Sequence, residues 1–79
     1  MNIMIDEGYI LSNKFRRIIF EGFTLGETRI ERIAKKHHII LRVAQKIADD
    51  FIKENIIRES KNGYNLTEEG KKLEEIIKG

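Results

Sequence analysis

A chain of 79 residues, 41% apolar and 35% charged, has the length of one small domain, and it contains no Cys, Pro or Trp. Without Cys it has no disulfide, no thiolate-bound zinc or iron–sulfur cluster and no thiol nucleophile, so apolar packing must hold it, helped by self-association. The formal charge of +2 hides an asymmetry: residues 14–48 carry nine basic groups against Glu21, Glu27 and Glu31, a net of +6, while residues 1–13 and 49–79 each sum to −2. A basic middle is the footprint of a polyanion-binding surface, and equally that of ordinary solvated helix faces.

Ile supplies 15 of the 32 apolar residues and is expected to fill most of the core. No apolar run exceeds three residues, Ile39-Ile40-Leu41 among them, so no membrane span is expected. The acidic start Met1–Glu7 lacks the basic flank and long apolar region of a secretion signal, which makes the cytoplasm the expected location.

Gly8-Tyr9-Ile10-Leu11 is a short apolar stretch read as extended, without an evident partner. Ser12 is placed to cap a helix over 12–22, with Phe15, Ile18, Ile19 and Phe23 on one stripe and Lys14, Arg16, Arg17 and Glu21 on the other side. Gly22 to Gly26 reads as a break. A short second helix starts at Glu27 or Thr28, with Ile30, Ile33 and Ala34 inward and Arg29, Arg32, Lys35 and Lys36 outward, and His37-His38 interrupts it. A third helix runs from about Ile40 to Glu54, burying Ala44, Ile47, Ala48, Phe51 and Ile52. Asn55 stands where a helix closes on a left-handed residue.

The period then changes from helical to alternating. Ile56–Ser60 and Tyr64–Leu66 flank Lys61-Asn62-Gly63, and Asn-Gly between two β-prone runs is a strong hairpin signal. Thr67 can cap a last helix that carries Glu68 and Glu69 in its first turn, where the dipole favours them, and Leu73, Ile76 and Ile77 on its apolar face. Gly70 removes a side chain where that helix must lie close to the hairpin.

The stretch Ile33-Ala34-Lys35-Lys36-His37-His38-Ile39, continued through Ala44, Ala48 and Phe51, resembles the three-helix core of a winged helix-turn-helix. The tail is similar to the recognition-helix end, wing and "Leu-Thr-Glu-x-Gly" start of the last helix in MarR-like and ArsR-like regulators of small prokaryotic, archaeal type: Phe51–Ile57, then Gly63-Tyr64-Asn65-Leu66-Thr67-Glu68-Glu69-Gly70. The resemblance covers residues 12–79 and implies a mostly α fold with a small β-hairpin wing: an N-terminal extension over 1–11, a helix-turn-helix over 27–54, a wing over 56–66 and a C-terminal helix over 67–78. Two positions depart from the pattern. His38 stands where the turn usually has Gly, which requires an unusual backbone conformation of a tolerant residue type. Ile40 stands where Ser or Thr usually caps the recognition helix.

What the resemblance implies for function is sequence-specific binding of double-stranded DNA by a homodimeric transcription regulator. Arg42, Gln45 and Lys46 project from the first half of the third helix, and their chemistry suits guanine and adenine edges in the major groove. Leu41 and Val43 stand at positions that often read bases in such proteins, where they can meet thymine methyls, form a protein-binding patch together with Ile40, or be covered by Tyr9-Ile10-Leu11. Arg29, Lys35 and Lys36 are expected on phosphates, and Arg58, Lys61 and Asn62 at the wing. The rival readings are a winged-helix interaction module using Ile40, Leu41 and Val43, and an RNA binder.

His37-His38 invites a metal site, yet adjacent side chains on a turn point apart and lack a third ligand. Glu68-Glu69 and Glu74-Glu75 read as solvated helix faces rather than an acid–base pair. With no phosphate loop, nucleophile motif or metal signature in the sequence, the expectation is a protein that is not an enzyme and takes no cofactor or metal; no small-molecule effector is identifiable from the sequence.

Overall fold

The computed structural model describes residues 7–78, so Met1–Asp6 of the acidic start and Gly79 lie outside the described residues. The elements, in order, are α1 (Glu7–Leu11), α2 (Lys14–Thr24), α3 (Ile30–His37), α4 (Leu41–Lys53), β1 (Ile57–Ser60), β2 (Gly63–Leu66) and α5 (Glu68–Lys78). The described chain is mostly helical, with a two-stranded antiparallel hairpin between the fourth and fifth helices. No helix among the described residues is long and apolar enough to cross a membrane.

Ile dominates the packing. Ile10, Ile19, Ile30, Ile33, Ile39, Ile47, Ile56 and Ile57 are buried with Phe20, Phe23, Phe51 and Leu73, and Ala34, Ala44 and Ala48 let the helices approach. Phe51 lies at the centre: Phe20 meets it edge-on at 6.3 Å between ring centroids, and Tyr9 meets it tilted at 6.3 Å. Such aromatic pairs contribute about 0.5–1.5 kcal/mol beyond their buried area.

Three helices end in one way. After α2, Glu27 N–H donates to Gly22 and Gly26 N–H to Phe23; after α3, Ile39 donates to Ala34 and His38 to Lys35; after α4, Ile56 donates to Phe51 and Asn55 to Ile52. This paired closure needs a left-handed residue at its pivot, supplied by Gly26 (φ 99°), His38 (φ 57°) and Asn55 (φ 61°). The unusual backbone expected at His38 and the helix-ending role of Asn55 are therefore both present.

Four local expectations are corrected. Gly8–Leu11 is helical within α1, not extended. Its Ile10 is buried against α2 and α5, while Arg16 holds it from outside, the guanidinium 4.3 Å from the Tyr9 ring centre and bonded to the Tyr9 carbonyl at 3.1 Å. The cap of α2 is Asn13 rather than Ser12: its Oδ1 accepts from Phe15 N–H at 2.9 Å and Arg16 N–H at 3.0 Å. The apolar residues of α2 span more than one face, and the core takes the side of Ile19, Phe20 and Phe23, leaving Phe15 41% exposed. Gly22 does not break the helix, because the Ile33 side chain occupies the space its Cβ would take, and α2 continues to Thr24. Finally, α3 begins at Ile30, since the Glu27 carboxylate accepts from Thr28 and Arg29 N–H and holds those residues outside the helix.

The hairpin pairs Ile57 with Leu66, Arg58 with Asn65, Glu59 with Tyr64 and Ser60 with Gly63, leaving Lys61-Asn62 as the two-residue turn. Ile57 is its one fully buried position, Tyr64 and Leu66 pack half-buried on the core, and backbone bonds fix both ends. At the root, Thr67 N–H donates to Ile56 at 2.9 Å; the Thr67 hydroxyl lies 2.5 Å from the Asn55 carbonyl and accepts from Gly70 N–H at 3.0 Å. Toward the turn, Tyr64 N–H donates to the Thr28 carbonyl at 2.8 Å. A Cβ at Gly70 would run into the Ile56 carbonyl, and one at Gly63 (φ 139°) into the Thr28 carbonyl. The Gly of the Asn-Gly pair is thus required twice, by its positive φ as the chain leaves the turn and by the approach of the Thr28 backbone.

Gly70→Ala is accordingly expected to cost about 1–3 kcal/mol by overpacking. His38→Gly should gain about 1 kcal/mol by relieving a left-handed side-chain-bearing residue. Thermal melts of the two variants should move in opposite directions, by roughly 4–8 °C per kcal/mol in a domain of this size.

Candidate nucleic-acid interface

The sequence of α4 separates two faces. Ala44, Ile47, Ala48 and Phe51 are buried, so at 3.6 residues per turn Arg42, Gln45, Lys46, Asp49 and Lys53 must share the opposite face, and all five are exposed. Three hydrogen-bonding side chains of this face lie in the first half of the helix and Asp49 follows one turn later, which makes the N-terminal half the polyanion-compatible part. Ile40 precedes the helix without a side-chain cap, so no side-chain oxygen satisfies the first-turn N–H groups. Lys46 Nζ pairs with Asp50 Oδ1 at 3.0 Å, an exposed i,i+4 contact that stabilises little and yields readily to a stronger anion.

Four of the sequence-predicted residues come together around one groove. Arg29 at the start of α3, Gln45 on α4, and Lys61 and Asn62 at the hairpin turn all line a polar groove of about 320 Å³, with Glu31, Glu59 and Ser60 on the same walls. The Tyr64–Thr28 bond creates this groove by bringing the hairpin beside the start of α3. Tyr64 is half-buried on its floor, and burial, reinforced by the neighbouring Glu59 carboxylate, raises the ionisation of its hydroxyl above the ordinary tyrosine value. It stays a neutral hydrogen-bonding group at physiological pH.

Other predicted residues stand apart from that groove. Arg42 and Lys46 border a second trough on the α2 side of α4, with Phe15, Arg16 and Val43. Lys35 and Lys36 are exposed in the last turn of α3, next to the corner that leads into α4. Arg58 faces away: it lines a separate groove with Lys71, Glu74 and Glu75 on the other side of the hairpin, because alternate residues of a strand point to opposite faces. Leu41 is 43% and Ile40 is 65% exposed, whereas Val43 is half-buried and packs on the core. The apolar surface expected from Ile40, Leu41 and Val43 is therefore two residues, not three.

Sequence reasoning overlooked Phe15 at the surface and Asn13 beneath it. The available signals were that Asn caps as well as Ser and that Phe20 offers the stripe an aromatic alternative to Phe15. The paired His37-His38 lies on the exposed α3–α4 corner. No cluster of three or more potential ligands is present among the described residues.

Gly63→Ala tests how the groove is built. It should detach the hairpin turn from the start of α3, seen as faster hydrogen exchange at the Tyr64 amide and NMR shift changes confined to Thr28, Arg29 and the hairpin, with α5 unmoved. Unchanged Tyr64 exchange would contradict this account of the groove. No protein-family model, curated protein or solved structure matches the chain.

Proposed function

We propose that the protein is a winged helix-turn-helix DNA-binding regulator that acts by occupying a duplex site. The observation that carries the reading is the joint exposure of Arg42, Gln45 and Lys46 on the first half of α4, flanked by Arg29 and by Lys61-Asn62 at the hairpin turn. In this reading α3 and α4 are the helix-turn-helix, and the hairpin is the wing. The first half of α4 enters the major groove, where Arg and Lys suit guanine O6 and N7 and Gln suits adenine N6 and N7. Asp49 and Asp50 keep the second half away from phosphate.

Phosphates then fall to three places. The uncapped first turn of α4 offers N–H groups and the positive end of the helix dipole. Lys35 and Lys36 flank the same corner from α3, and Arg29 and Lys61 meet the backbone from the wing side. Arg58 contributes only to the overall positive field, because it faces the other side of the hairpin. One module makes few base contacts, so specific recognition calls for a homodimer on two half-sites about one helical turn apart.

A second reading, a winged-helix protein–protein module, is favoured by one observation: Ile40 and Leu41 remain exposed at the start of α4. RNA would meet the same cations.

Fluorescence anisotropy with duplexes selected from a random-sequence pool separates these readings. A DNA binder selects a common sequence, loses affinity steeply with rising salt, and loses about 1–3 kcal/mol on Arg42→Ala. Lys46→Ala should likewise cost the selected duplex more than unselected ones. Absence of duplex binding at low salt would overturn the proposal; in that case, loss of a partner protein on Leu41→Asp would support the second reading.

A further inference from the structure

The trough on the α2 side of α4 is chemically unlike the polar groove beside the hairpin. Its walls are Phe15, Val43 and Ile47 with the cations Arg16, Arg42 and Lys46, and Asn13 and Asp50 complete a depression of about 460 Å³. Two features make it a prepared surface. Phe15 is an aromatic ring 41% exposed, and the first turn of α2 that carries it is fixed by two backbone bonds to Asn13 Oδ1. The cations are also unequally committed. Arg16 is held on the Tyr9 ring and carbonyl, Lys46 has only its exposed bond to Asp50, and no ion pair among the described residues engages Arg42.

A nucleic-acid backbone supplies anions for Arg42 and Lys46 but nothing to cover Phe15 and Val43. A helical segment with carboxylates on one edge and Leu or aromatic anchors at i and i+3 or i+4 supplies both. From this charge and apolar complementarity we propose that the trough receives an acidic amphipathic segment of a partner protein. The segment's anchors sit against the exposed Phe15 ring and the outer edge of half-buried Val43, and its carboxylates pair with Arg42 and Lys46. Since these two cations also belong to the proposed DNA face, segment and duplex exclude one another, and the partner acts as an antagonist. The exclusion rests on the DNA-binding reading; the docking does not.

The test pans short random peptides displayed on phage against the whole chain, with counter-selection on Phe15→Ser. The best enriched peptide is then synthesised and titrated by anisotropy and NMR. The expected result is enrichment of sequences that combine Asp or Glu with Leu or aromatic residues. Their affinity should fall at least about tenfold on Phe15→Ser and on Arg42→Glu, as for a buried anchor and its charge partner. Shifts should map to α2 and α4, and melts must show both variants folded. Phe15→Ser should leave duplex affinity within about twofold, and saturating peptide should displace the duplex.

No enrichment, enrichment of neutral or basic sequences, or affinity indifferent to Phe15→Ser would overturn the docking site. So would self-association that Phe15→Ser abolishes, which would assign the trough to a second copy of the chain. Simultaneous binding of peptide and duplex would overturn the antagonism alone. If the chain binds no duplex while Phe15-dependent acidic peptides are still enriched, the DNA reading fails and the docking site stands.

Discussion

Apolar packing through Ile57, Tyr64 and Leu66 holds only one side of the hairpin to the helices, and every feature of the candidate interface depends on how its two ends are fixed. Two backbone contacts do it, Thr67 N–H to Ile56 at the root and Tyr64 N–H to Thr28 near the turn, and each has a glycine at the place where a Cβ would intrude. Backbone groups sequestered in this way must be paired, because an unpaired one costs about as much as a lost hydrogen bond. The hairpin is thus anchored by the same groups that its approach would otherwise leave unsatisfied. The root contact continues into α5 through the Thr67 hydroxyl, so the left-handed Asn55, the start of the hairpin and the first turn of the last helix form one connected unit.

This arrangement suits a chain that has no disulfide to brace it. The apolar area of a domain this short leaves little stability to spare. Among the described residues, three helices close on the same paired motif and two helix starts are capped by side chains, Asn13 for α2 and Thr67 for α5. The starts of α3 and α4 lack side-chain caps, and they are the helix starts that border the polar groove and the cationic face. Stability is drawn from local backbone closure across most of the chain, while the exposed end of α4 keeps its first-turn donors available.

The sequence made this anatomy legible where a residue type has a narrow conformational meaning. Asn55, His38, Thr67 and Gly70 each occupy the structural position their chemistry implied, and the hairpin lies where Asn-Gly and the change of period put it. Reading failed where several residues satisfy the same rule. Ser12 and Asn13 are both good caps, and the apolar residues of α2 span more than one face, so the pattern did not say that the core takes Phe20 and leaves Phe15 outside. A five-residue helix such as α1 is too short to show a 3.6-residue period, and only its packing on Phe51 and Arg16 makes it helical. Gly22 carried opposite meanings, a breaker in isolation and a seat for Ile33 once α3 is packed beside it. Gly63 was assigned to the hairpin for the turn, which its positive φ bears out, but a second demand for it comes from Thr28, far away in sequence.

The candidate face was legible by residue type but not by grouping. Periodicity placed Arg42, Gln45 and Lys46 together on α4, yet it could not show that Gln45 faces the hairpin while Arg42 and Lys46 border Phe15 on the other side. Nor could it show that strand alternation turns Arg58 away from Lys61. The apolar surplus at the start of α4 also changes character. Val43 turns inward and leaves Ile40 and Leu41 outside, while the exposed Phe15 appears on the neighbouring helix beside the two cations. A surface with an ordered aromatic ring next to weakly committed positive charge differs chemically from one carrying charge alone. Phosphate satisfies only the second part of it, so the extra apolar area on this side of α4 is better matched by a carboxylate-bearing protein segment than by a nucleic-acid backbone.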